Sequence, residues 1–252
     1  MEPQSLLKRL DEIGQSLERS GHALALIGLG SVGLELDRLD SHSDLDFFAI
    51  VEQGYKHTYL DSLPWLSDVH PIAYSFLNTD DGYKVLFEDG IFCEFAVFEP
   101  AELEDIPFTP GRIVWKRRDV PNSIGQPVSK SKPQSKRGRD WLLGEALTNL
   151  YVGLHRERRG EKLSATRFIQ GYAVGRSLEL IEYIEPGNEV HRDPFAKERR
   201  IEQRYPLLIP QFRTWIQGYD RNRESALAIL DFLETHFEVH GVIAKEIRDM
   251  CD

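Results

Sequence analysis

The chain has 252 residues, 41% of them hydrophobic, so it is long enough for one or two domains with sizeable cores. Its net charge of −10 argues against nonspecific binding to a nucleic-acid backbone, and its two cysteines are too few for a disulfide framework. No apolar run approaches the roughly 20 residues of a membrane span, and the first residues lack the basic and apolar segments of a signal peptide. We therefore expect a cytoplasmic protein.

The first elements along the chain alternate between helix and strand. Leucine and isoleucine recur at helical spacing over residues 5–20, which predicts an amphipathic helix, and the apolar residues 22–29 predict a buried strand. A short helix or turn is expected at 32–40, followed by a second strand at 44–51. This order is typical of helices that pack on a sheet.

A run of hairpins follows in the sequence. Strands are predicted at 69–77, 83–88 and 91–98, and Asp89-Gly90 predicts a two-residue turn between the last two. Together with the earlier strands, these segments indicate a mixed sheet that has an antiparallel meander at its edge.

Three carboxylates lie on the predicted strands. The period of two in a strand over 44–51 places Asp44 and Asp46 on one face. Glu94 interrupts an apolar strand, where it either points to solvent or, if buried and unpaired, costs several kcal/mol. Carboxylate oxygens suit a hard cation such as Mg²⁺, which also takes oxygens from a substrate phosphate. The pattern therefore indicates phosphoryl or nucleotidyl transfer.

The turn after the first strand contains Gly30 and Ser31, a pair that suits the close approach of a phosphate but is also compatible with a plain strand-to-helix turn. The stretch from Gly28 to Gly33 also matches the dinucleotide-binding pattern G-x-G-x-x-G, with Glu52 about 20 residues further on. The short acidic segment 34–43 argues against a dinucleotide fold, because a parallel crossover needs a dozen or more residues and usually a helix.

These residues resemble the signature of the polymerase-β-like nucleotidyltransferase superfamily: Gly30-Ser31, Asp44 and Asp46 at the start of a strand, and the lone Glu94 in a later strand. In domain size and in its helical second half, the chain most resembles the lincosamide and aminoglycoside antibiotic nucleotidyltransferases. The step from Ser31 to Asp44 is slightly longer than is usual in the family, which leaves room for a different approach of the turn to the phosphates.

The resemblance implies a small mixed sheet with flanking helices, and ATP or another NTP as the donor with two Mg²⁺ ions. It further implies transfer of a nucleoside monophosphate, AMP in the case of ATP, to a hydroxyl of a small-molecule acceptor. By the same resemblance, Gly30 and Ser31 would bind the nucleotide, and Asp44, Asp46 and Glu94 would be the catalytic metal ligands.

Composition divides the chain into two halves and a connection. We predict an α+β catalytic domain over residues 1–115, a basic linker rich in Ser, Pro and Gly over 116–139, and an all-helical domain over 140–252. In proteins of this resemblance the helical half supplies an acceptor wall or a dimer surface, so a homodimer is one expectation. Helical periodicity in this half predicts four stretches, 140–160, 164–184, 195–218 and 221–250, of which the third is interrupted by Pro206 and Pro210.

Several polar residues of the second half are weaker candidates. Glu145 could act as a general base toward the acceptor hydroxyl, although an exposed helix face is the simpler interpretation. Arg199 and Arg200 could contact phosphate or form exposed ion pairs. His236 and His240 are four residues apart on a predicted helix but lack a third zinc ligand.

Two other functions are compatible with the sequence. One is a catalytically degenerate nucleotide-binding or interaction module of the same fold, which the presence of all three carboxylates disfavours. The other is an enzyme that nucleotidylates a protein or a nucleic acid, because no residue in the sequence identifies the acceptor.

Overall fold

A computed structural model describes residues 2–128, 138–190, 193 and 196–252. The chain divides into two compact units, Met1–Gln134 and Ser135–Asp252. The first unit combines a six-stranded mixed sheet with flanking helices, and the described part of the second is built from helices. The predicted α+β fold class is therefore confirmed.

The sheet of the first unit has the strand order β3-β4-β5-β2-β1-β6. Strands β2 and β5 run parallel, and every other neighbouring pair is antiparallel. The meander β3-β4-β5 therefore lies at one edge of the sheet, as predicted. The helices and strands of this unit are α1 (Pro3–Ser20), β1 (Ala23–Gly28), β2 (Leu45–Val51), α2 (Lys56–Leu60), α3 (Pro64–Ser67), β3 (Ile72–Thr79), β4 (Gly82–Phe87), β5 (Phe92–Phe98) and β6 (Arg112–Lys116).

Helix α1 covers one face of the sheet. Its apolar residues recur every three or four positions, so they form one stripe, and the four that lie on this stripe are at most 1% exposed. The stripe belongs to the same apolar core as alternate residues of β2 and β5, including Phe47 and Phe95, whose rings stack with centroids 5.3 Å apart. The four stripe residues are Leu6, Leu10, Ile13 and Leu17.

The opposite face of the sheet carries a smaller apolar cluster. Phe48 of β2 makes edge-to-face contacts with Phe98 and Phe108, with ring centroids 5.0 and 5.5 Å apart. Because side chains alternate along a strand, Asp46 lies on the same face of the sheet as Phe48. Asp46 therefore belongs to the face that α1 does not cover.

The predicted linker, 116–139, is described as far as residue 128 and again from residue 138. Strand β6 was not predicted, and it pairs with β1, which without it would be an open sheet edge. Beyond β6, Val120 and Gly125 are buried, so 117–128 packs on the first unit rather than forming a solvated connection. Residues 129–137 of the predicted linker lie outside the described residues.

The second unit has its own apolar core, which is centred on Leu150, Ile169, Trp215 and Leu230, all fully buried. Among its described residues, as among those of the first unit, no helix combines the length and apolar character needed to cross a membrane. The helices are α4 (Arg139–Arg158), α5 (Lys162–Thr166), α6 (Val174–Ile181), α7 (Ile201–Arg204), α8 (Ile209–Trp215), α9 (Asn222–His236) and α10 (Gly241–Cys251).

Three of the four predicted helical stretches are interrupted. The stretch 164–184 contains a π-helical segment, Arg167–Ala173, between α5 and α6. The stretch 195–218 contains two separate helices, α7 and α8, with the predicted break at Pro206, whereas Pro210 lies in the first turn of α8. The last stretch breaks between α9 and α10, where His240 has an extended backbone. His236 ends one helix and His240 precedes the next, so they do not share a helical face, and the spacing that suggested a zinc pair is lost.

Candidate functional site

The glycine-rich turn after β1 does not belong to a dinucleotide-binding fold. Strand β1 pairs antiparallel with β2, whereas the dinucleotide motif requires a parallel strand–helix–strand unit. Gly30 has a φ of 53°, in the left-handed region that favours glycine. A Cβ at Gly33 would lie 2.7 Å from the carbonyl oxygen of Gly28, so no larger residue fits there. The glycine pattern therefore serves the tight geometry of the turn itself.

Backbone hydrogen bonds fix this turn against β2. The Leu29 N–H donates to the Asp46 carbonyl at 2.8 Å, and the N–H groups of Gly33 and Glu35 donate to the Gly30 carbonyl at 3.0 and 3.2 Å. A Cβ built on Gly30 would lie 3.8 Å from Asp46 Oδ2. The turn with the predicted nucleotide-binding residues Gly30 and Ser31 therefore lies beside the Asp46 carboxylate.

Asp46 and Glu94 are brought together by the parallel pairing of β2 and β5. The two residues are register partners, so their side chains leave the same face of neighbouring strands, which lie about 5 Å apart. Asp46 is half-buried, and the Glu94 side chain is 44% exposed. Two carboxylates at this separation repel each other unless positive charge lies close by.

Part of that positive charge comes from β4. Lys84 is the register partner of Glu94 on the other side, and its Nζ lies 3.2 Å from Glu94 Oε2. The second carboxylate oxygen, Oε1, accepts a hydrogen bond from Nδ2 of Asn78 at 3.1 Å. Lys84 and Asn78 were not among the residues predicted for the site.

The hairpin between β4 and β5 explains why Lys84 was missed. The Phe87 N–H donates to the Ile91 carbonyl, so the loop has three residues, and Gly90 adopts a φ of 86°. The predicted two-residue turn at Asp89-Gly90 would shift the register by one position and place the Lys84 side chain on the other face of the sheet. A glycine in the third loop position is the sequence signal that could have identified the correct register.

Asp44 precedes β2 and is exposed. The loop before it is held by Asp40, whose Oδ1 accepts hydrogen bonds from the His42 N–H at 2.8 Å and from the Ser43 hydroxyl at 3.2 Å. The backbone hydrogen bond from His42 is the main cause that lowers the pKa of Asp40. Asp44 therefore follows an ordered turn but is outside the strand register that aligns Asp46 with Glu94.

The carboxylate oxygens of Asp46 and Glu94 suit a magnesium ion that also takes ligands from a substrate. Within the described residues, no group of three or more His, Cys, Asp or Glu side chains is arranged to hold a metal ion. Magnesium in nucleotide enzymes is commonly bound by one or two carboxylates together with substrate phosphates, and Asp46 and Glu94 supply such a pair. The assignment of Asp44 as a further ligand stays a prediction.

Cys93 precedes Glu94 in β5 but points to the face covered by α1, where it is fully buried. Burial raises the pKa of its thiol to about 12, and the charges of Asp46 and Asp44 add to this rise. Cys93 is therefore an unreactive core residue.

Of the weaker candidates, Glu145 lies half-buried on α4, and its backbone carbonyl accepts a hydrogen bond from Asn149. Arg199 forms an ion pair with Asp193 at 2.8 Å, which supports the ion-pair interpretation of that residue. Arg200 has a φ of 61°, an uncommon conformation for a residue other than glycine.

No protein-family model matches the chain, and a search of curated proteins found no match. The chain is similar to the crystal structure of an aminoglycoside 6-adenyltransferase from Bacillus subtilis, with 12% sequence identity and a TM-score of 0.34, over 96% of this chain and 89% of that one.

Proposed function

We propose that the protein is a metal-dependent nucleotidyltransferase. The observation that carries this proposal is the alignment of Asp46 and Glu94 on neighbouring parallel strands, directly beside the turn at Gly30. The turn offers backbone N–H groups and the Ser31 hydroxyl for a triphosphate, and the carboxylates offer oxygen ligands for the accompanying cation.

Each residue has a distinct role in this proposal. Gly30 and Ser31 hold the donor triphosphate, and Asp44 and Asp46 hold Mg²⁺, with two ions as the resemblance implies. Bound Mg²⁺ supplies electrostatic stabilisation of the negative charge on the transferred phosphoryl group. Glu94 completes the metal site or takes the proton from the attacking hydroxyl, for which its partly exposed carboxylate is accessible.

The acceptor in this proposal is a hydroxyl of a small molecule, with lincosamide and aminoglycoside antibiotics as the first compounds to test, and ATP is the first donor. The helical unit would supply the acceptor wall or a dimer surface, and we expect the enzyme to act in the cytoplasm. The support for these finer assignments is the resemblance in the residues between Gly30 and Glu94.

Calorimetry of ATP binding, with and without Mg²⁺, tests the proposal. The wild-type chain is compared with the double variant Asp44→Asn/Asp46→Asn, and pyrophosphate release is then followed across a panel of lincosamides and aminoglycosides. We expect metal-dependent binding that the double variant loses, and pyrophosphate release with at least one acceptor. Unchanged binding and turnover in the double variant would disprove the assignment.

A second candidate is a non-catalytic nucleotide-binding module. The observation that favours it is the ion pair between Lys84 and Glu94. An ammonium group beside a catalytic carboxylate competes with a metal ion or a proton for the carboxylate oxygens. Metal-dependent ATP binding without pyrophosphate release for any acceptor, including protein and nucleic acid, would favour this module over the enzyme.

A further inference from the structure

A row of polar and aromatic side chains crosses four strands of the sheet. The strand registers align Asp46 with Glu94, Glu94 with Lys84, and Lys84 with Phe76. Register partners share a face, so the sequence of groups across the sheet is carboxylate, carboxylate, ammonium and phenyl ring. Lys84 is therefore the cation that this row places directly against the candidate metal ligands.

Both oxygens of Glu94 are engaged in this arrangement. Lys84 Nζ lies 3.2 Å from Oε2, and Asn78 donates to Oε1 at 3.1 Å. A metal ion that binds Glu94 shares these oxygens with both partners and is repelled by the Lys84 ammonium, so metal binding is easier once Lys84 has moved away. Lys84 leaves Glu94 more easily than Asn78 does, because the Lys84 side chain is 42% exposed and water can replace the carboxylate as the partner of its ammonium group.

We propose that Lys84 holds the cation position beside Glu94 while no nucleotide is bound, and that it moves to the donor triphosphate when the metal binds. This inference rests on the proposed function, since it assigns a role to Lys84 at that same site. The ammonium group of Lys84 holds the Glu94 carboxylate in one orientation in the absence of metal. The triphosphate then offers Lys84 an alternative anion, so that nucleotide binding favours metal binding, and by linkage the reverse also holds.

Binding of Mn²⁺, measured by electron paramagnetic resonance of the free ion, tests the inference without relying on turnover. The removal of one positive charge beside the metal ligands in Lys84→Met is expected to tighten Mn²⁺ binding about fivefold in the absence of nucleotide, allowing for solvent and salt screening. In the same variant, a non-hydrolysable ATP analogue should increase Mn²⁺ affinity less than it does in the wild type. Lys84→Arg keeps the charge and should behave as the wild type.

Lys8→Met is the matched control, because Lys8 lies on α1, is 78% exposed and also pairs with a glutamate, Glu12, at 3.4 Å. It should leave Mn²⁺ binding unchanged. Equal Mn²⁺ affinity of Lys84→Met and the wild type without nucleotide would overturn the inference, as would tighter binding by Lys84→Arg.

The failure of this inference and the failure of the proposed function are distinguishable. If Mn²⁺ and the ATP analogue bind together to the wild type and not to Asp46→Asn, the site is sound, and an unchanged Lys84→Met rejects only the role of Lys84. If Asp46→Asn binds both as tightly as the wild type, or if no protein binds Mn²⁺ under either condition, the proposed site and the role of Lys84 are both rejected.

Discussion

Replacement of Glu94 by glutamine separates a functional role of this residue from a structural one. Glutamine has nearly the same shape, and its side-chain oxygen still accepts the hydrogen bond from Asn78. The variant loses the ion pair with Lys84. In this pair the Lys84 side chain is 42% exposed and the Glu94 side chain is 44% exposed. Ion pairs with this exposure contribute about 0.5 kcal/mol or less, so we expect a similarly small change in the free energy of unfolding.

The expected effect of Glu94→Gln on activity is much larger. If Glu94 takes the proton from the attacking hydroxyl, its loss lowers the turnover rate by about 10²-fold to 10⁴-fold. Urea denaturation followed by circular dichroism measures the stability, and pyrophosphate release measures turnover.

A matched control is available in the same unit. Glu102 contacts Lys56 at 2.5 Å, and this lysine side chain is only 14% exposed. Glu102→Gln should therefore cost about 1 kcal/mol, more stability than Glu94→Gln, while leaving turnover unchanged. The reasoning is refuted if Glu94→Gln retains turnover, or if it costs more than about 2 kcal/mol, a loss too large for a screened surface pair.

Three further predictions concern the stability of the chain. Gly33→Ala places a Cβ 2.7 Å from a backbone carbonyl oxygen and should cost about 2 kcal/mol in urea denaturation, whereas Gly144→Ala, on an open helix surface, should be neutral or stabilising. Asp89→Ala removes a 2.6 Å contact to the almost fully buried Arg9 and should cost about 2 kcal/mol, measured in the same way; a loss below about 0.5 kcal/mol would contradict it. Burial raises the pKa of Cys93 from 9.0 to about 12, so the unfolded chain loses this proton first and stability falls as pH rises through that range. Cys93→Ala should therefore show a smaller loss of stability than the wild type between neutral pH and about pH 10, and an equal loss would count against it.

The pattern of the sequence determined the local elements of the first unit. The spacing of Leu6, Leu10, Ile13 and Leu17 predicted α1, and the apolar runs predicted β1, β2 and the three strands of the meander. These predictions succeeded because helix and strand periodicity depends on neighbours a few residues apart. The helical character of the second unit was predictable for the same reason, as was the break at Pro206, although the π-helical segment and the break between α9 and α10 were not.

Only the tertiary structure decided which residues share the candidate site. Glu94 lies opposite Asp46 because β2 and β5, which are distant in the chain, pair in parallel, and no local periodicity encodes that register. Lys84 joins them because a three-residue hairpin loop, rather than a two-residue one, sets the register of β4. Strand β6 lies at the end of the predicted catalytic domain, where no strand was predicted, and it forms because β1 offers it an unpaired edge. The sequence therefore determined the chemical groups available to the site, and the long-range strand pairing decided which of them meet, since one register step moves a side chain to the opposite face of the sheet.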